Sequence, residues 1–149
     1  VTACATRPDF KLDDVDQTLN PVEATIDFPA HQGKNVMWGG IIVNSQNMQK
    51  GTLLEVLAYP LDKNHRPETK KPALGRFLAE HPGYLETVVY APGRHTTLVG
   101  TLGDTRTGKI GEADYLYPVV NTEQLHLWPT AEEQSESRFH FGVGVMIHD

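Results

Sequence analysis

Glu55 stands in LLEVLAYPL with apolar neighbours on both sides. A carboxylate in such surroundings needs a partner or takes up a proton, so Glu55 is a candidate general base for hydrolysis or an anchor for a ligand. A structural ion pair meets the same need, with Arg76 of GRFLA or Arg94 of PGRHTT as cation, and this is the favoured reading. Asp62, His65 and Glu68 sit together in DKNHRPETKKP, but Lys63, Arg66, Lys70 and Lys71 crowd the same stretch and repel a metal ion; it reads as a solvated loop. The histidines, His31, His65, His81, His95, His126, His140 and His148, form no HxH, HxxH or HExxH pattern, although His126 and His140 both fall on expected strands. Ser45, Ser135 and Ser137 lie in polar connectors without a G-x-S-x-G turn. The glycines of GTLGDTRTGKIG lack the Lys-Ser or Lys-Thr of a phosphate loop, since Ile110 follows Lys109. No catalytic residue, metal or cofactor is assigned.

Cys4 is the one cysteine of the chain, which excludes an internal disulfide and Cys-rich zinc motifs. It closes VTAC, an aliphatic residue followed by two small ones and a cysteine, the pattern cut and acylated by the bacterial lipoprotein machinery. The peptidase needs small side chains at Thr2 and Ala3, and cleavage before Cys4 removes Val1 to Ala3. Ala5 would then follow the acylated cysteine; an Asp there holds many lipoproteins in the inner membrane, so Ala5 points to the outer one. At a flexible end with nothing to activate it, Cys4 is not a credible nucleophile. Asp13, Asp14 and Asp16 of LDDVDQ lack the alternate ligands, turn glycine and closing Glu of a calcium loop, and read as one solvated turn.

Aromatic residues are the remaining lead. Trp38, Tyr59, Tyr115, Tyr117 and Trp128 all fall on expected strands, and Trp38, Tyr59 and Trp128 are the candidates to line an open groove for a carbohydrate or peptide; the alternative is that both tryptophans are core.

The elements that must position these groups are strands. The runs Asn35 to Asn44, Thr52 to Leu61, Leu74 to Ala79, His95 to Leu102, Tyr115 to Trp128 and Arg138 to Ile147 are rich in β-branched and aromatic residues and punctuated by Gly, Pro and Asn. Ser45 to Gly51 reads as a hairpin connection and Asp104 to Asp114 as a polar connector holding a short strand at Lys109 to Gly111. Arg76 to His81 is open between strand and helical turn. Gly39 and Gly40 inside a strong strand suggest a sharp bend or a close backbone approach, as at a barrel corner. The expected fold is all-β, a small antiparallel β-barrel of OB-like form, on a flexible N-terminal tether. The divisions are the lipobox and lipidation cysteine at 1–4, tether and lead-in at 5–33, and the β-domain at 34–149. A chain of 149 residues supports one core. Its net charge of −6 and scattered Lys and Arg argue against nucleic acid, and its apolar runs are too short to span a bilayer as a helix.

Read in order, WGGIIVN, TLLEVLAYPLD followed by RP, GRFLA, a Gly-Arg pair before TTLVGTLGD, and IGEADYLYPVV with LHLW resemble the Slp family of starvation-inducible outer-membrane lipoproteins. The similarity runs from about Val36 to Trp128, with RFHFGVGV as a further similar tail. The resemblance implies a lipid on Cys4 and a periplasm-facing domain held at the outer membrane of a Gram-negative bacterium. It implies no defined reaction. The expected role is therefore a lipid-anchored, non-enzymatic one in binding or envelope support under stress, with the membrane as first partner and an envelope protein or the cell wall as second. A carbohydrate- or peptide-binding module and a hydrolase centred on Glu55 are the alternatives.

Overall fold

The alternation in TLLEVLA fixes the first clear element. Thr52, Leu54, Val56 and Ala58 are buried while Leu53, Glu55 and Leu57 are half-buried, the inward and outward period of a strand. The computed structural model describes residues 8–130. Its strands are β1 (Val15–Asp16), β2 (Asn35–Met48), β3 (Gly51–Ala58), β4 (Arg76–His81), β5 (His95–Ile110) and β6 (Ala113–Leu127), with two short helices, α1 (Pro21–Thr25) and α2 (Phe28–His31), ahead of β2. They form one sheet in the order β1-β2-β3-β4-β6-β5, and a further pairing of β2 with β5 closes β2 to β6 into a ring of hydrogen bonds. The all-β expectation holds in this form. The ring is antiparallel except where β4 runs parallel to β6, from Leu78 opposite Val119 to Glu80 opposite Asn121.

Inside the ring lie Val36, Trp38, Leu54, Val56, Ala58, Phe77, Ala79, Leu98, Leu102 and Val120, joined by Ala24 of α1. Burying Phe77 or Leu98 fully contributes about 1.5–3 kcal/mol each. Two adjacent glycines let the walls close. A side chain at Gly40 would run into the Leu57 carbonyl of β3, and one at Gly39 would sit 2.8 Å from Thr97 Oγ1 of β5. A register shift between Ile42 and Asn44 bends β2 just beyond them, as strands do at barrel corners.

Several elements differ from the sequence expectation. Asp104 to Asp114 is not a connector: β5 runs unbroken to Ile110, opposite Ala113, and the turn is confined to two residues. The segment is polar because this outer half of the β5–β6 hairpin is wet on one face, while Ile110, Tyr115 and Tyr117 of the other pack on Leu53 and Leu78. Arg76–His81 is a strand, paired through its whole length with β3. The first hairpin is likewise longer than expected, with β2 continuing through Met48 opposite Gly51. The expected strand Arg138 to Ile147 lies outside the described residues.

Of the stretch 5–33 read as tether and lead-in, residues 8–33 are described and are laid against the ring. Val15 and Asp16 pair with Asn35 and Val36. Asn20 caps α1, its Oδ1 accepting from the Glu23 amide at 2.8 Å and its own amide donating to Glu23 Oε1 at 3.2 Å. Among the described residues no helix is long and apolar enough to cross a membrane.

Candidate functional site

Glu55 points outward from β3, and the neighbouring strands supply its partners. Arg76 of β4 donates to Glu55 Oε2 at 2.9 Å, and the Tyr117 hydroxyl of β6 donates to the same oxygen at 2.8 Å. Tyr115 stands beside Tyr117, ring centroids 4.8 Å apart, and its hydroxyl accepts from the Arg76 amide. Burial, reinforced by the Glu55 carboxylate, pushes the Tyr117 phenol up to about 12. The favoured reading of Glu55, an ion pair with Arg76, is what the fold builds. Its carboxylate fixes the outer half of the β5–β6 hairpin to the ring, and Arg106 with Glu80 adds a second tie.

The three aromatic candidates are not exposed together. Trp38 and Trp128 are 5% and 6% exposed, whereas Tyr59 is half-buried. Trp38 points into the core, 5.2 Å from Phe77, and its indole N–H donates to the Leu19 carbonyl. An edge of it and Tyr59 do reach one groove of about 610 Å³, which Gln17, Asn20 and Asp62 also line. Trp128 lies elsewhere, on the outer face of β5. There its Nε1 donates to Thr97 Oγ1 at 2.9 Å, and that hydroxyl donates in turn to the His65 carbonyl at 2.7 Å. The correction has a physical cause: Trp38 and Trp128 occupy opposite faces of the ring wall, so one groove cannot hold both rings.

Around Trp128 the structure assembles a cluster that the sequence did not announce. The Arg66 guanidinium stands over the Trp128 ring at 5.1 Å, and His126 meets that ring edge-on at 4.5 Å. His65 carries the contact on to Phe10, 6.2 Å away, and Lys11 exchanges two hydrogen bonds with Gln124, two residues before His126 on β6. Burial first, then the charge of Arg66, lowers His126 below the ordinary imidazole value. The same causes, with Arg94 added, lower His95. The Asp62 carboxylate shapes the loop that delivers Arg66, accepting from the amides of Asn64 and Arg66 at 2.7 and 3.0 Å. The only sequence signal for the cluster was the alternation of His126 and Trp128; Arg66 reaches them across a loop.

Cys4, the remaining candidate, lies outside the described residues. The model of the Outer membrane lipoprotein Slp family matches residues 1–145. An uncharacterized lipoprotein of Escherichia coli, YeaY, is 33% identical over 101 residues, 68% of this chain and 52% of that one. The outer membrane protein Slp of the same organism is 31% identical over 100 residues, 67% of this chain and 53% of its own length. The chain thus spans about half the length of these curated relatives. Among solved structures, a small single-stranded DNA-binding protein from Streptomyces coelicolor aligns with a TM-score of 0.37 and 12% identity, over 64% of this chain and 94% of that one.

Proposed function

Because this chain belongs to the outer membrane lipoprotein Slp family, we propose that Cys4 is its acylated residue and that the strand ring is held on the periplasmic face of the outer membrane, in a non-enzymatic binding or supporting role under starvation and stress. The observation that carries this reading is the family match itself, which takes in VTAC and runs through the ring. Three acyl chains on one cysteine anchor stably, because each buried methylene adds about 0.8 kcal/mol. The body then needs no apolar face of its own to stay at the membrane. A role without catalysis is supported by Glu55, whose Oε2 is engaged by Arg76 and Tyr117.

Fractionation of cells expressing the full-length protein tests the reading. The native form is expected in the outer-membrane fraction and a Cys4→Ser variant is expected to be absent from it. Retention of that variant in the outer membrane would overturn the anchor.

A further inference from the structure

We propose that residues 138–147 return along β6 and pair with its unpaired flank at Leu125 and Leu127, as a further strand whose apolar side covers Leu125 and the exposed Val88 and Val89. The inference goes beyond the lipid anchor and does not depend on it. Its first support is the ladder. β4 leaves β6 after Glu80, opposite Asn121, so from Thr122 onward β6 is registered with β5 alone among the described residues. The Trp128 amide donates to the His95 carbonyl at 2.9 Å, and an antiparallel ladder alternates from such a bond. Leu127 and Leu125, opposite Thr96 and Leu98, therefore turn their amides and carbonyls away from β5. No turn or loop of the described residues bonds these groups. A flank of this kind is a template for one more strand.

The second support is the sequence that follows. RFHFGVGVMI puts Phe139, Phe141, Val143, Val145 and Ile147 at alternate positions, the period of a strand with one side buried. Apolar surface waits where the chain leaves β6. The Arg94 guanidinium donates to the Val89 carbonyl at 3.2 Å and to the Trp128 carbonyl at 3.0 Å, so Val88 and Val89, 81% and 42% exposed, stand beside the exit. Leu125, half-buried, packs on the core from the flank itself. Residues 131–137, AEEQSES, have the composition of a connection, and the eight peptide units from Thr130 to Arg138 span up to about 28 Å, ample for a reversal onto the neighbouring position. So short a tether holds the segment at an effective concentration on the order of millimolar, far above that of a second copy in dilute solution. The occupant of the flank is therefore the chain's own strand.

The test is amide hydrogen exchange by NMR on the full-length chain carrying Cys4→Ser, which leaves it without acyl chains. The Leu125 and Leu127 amides are expected to be protected at least about tenfold over their intrinsic rates, with cross-strand nuclear Overhauser contacts from β6 to residues 138–147. Val143→Asp, on the apolar side of the segment, should abolish that protection, while the Leu98 amide, held opposite Trp38 on β2, stays protected and shows the ring still folded. His140→Asp places the same charge on the other side and should leave Leu125 and Leu127 protected. Exchange of these two amides at the intrinsic rate in the parent chain, or protection that survives Val143→Asp, overturns the pairing. Protection that appears only as the protein becomes a dimer by light scattering gives the flank to a second copy and overturns it as well.

Discussion

Glu55→Gln removes the charge that Arg76 answers while keeping the shape of the side chain. We expect a loss of about 1–3 kcal/mol in denaturant unfolding, the usual cost of leaving a half-buried charged partner unmet, and partial recovery in Glu55→Gln with Arg76→Met. An unchanged midpoint in the single variant would contradict the structural role. His95 and His126 make a second prediction. Their folded values lie below the ordinary 6.5, so below that pH the unfolded chain binds protons that the native protein does not. Their contribution to stability is whole above pH 6.5 and shrinks as pH falls; a His126→Gln variant should flatten the slope of midpoint against pH between about 7 and 5. The Glu55–Arg76 pair was legible in the sequence because a lone carboxylate in an apolar strand must find a cation. Arg66 on Trp128 was not, since the loop that joins them takes its shape from Asp62 and from the left-handed turn at His65, φ 68°.

At the scale of elements, Gly40 is the position where the ring wall allows no side chain. Gly40→Ala drives a methyl into the Leu57 carbonyl, a backbone group that the β2–β3 ladder holds in place, and should cost roughly 3 kcal/mol or leave the protein unfolded. A variant as stable as the parent by thermal melting would mean that β2 and β3 do not approach as described. The paired glycines are legible as a corner from sequence, because two of them inside a β-branched strand are costly unless the backbone bends or a neighbour comes close. The length of the β5–β6 hairpin is not, because Thr, Arg, Lys and Asp on a water-facing strand have the composition of a loop. Pairing across fourteen registered positions decides the matter, and sequence does not display it.

At the scale of the whole molecule, β2 to β6 close into a ring of strands. Among the described residues, closure of β2 onto β5 leaves the ring without an open edge in its central course. On the anchoring proposed above, its place in the cell is set by chemistry at Cys4. The intact mass of full-length protein extracted from its own outer membrane measures that chemistry directly. The account predicts a chain beginning at Cys4 and heavier than its polypeptide by three acyl chains and their glyceryl linker. A chain that retains Val1 to Ala3 with a free thiol at Cys4 would contradict it.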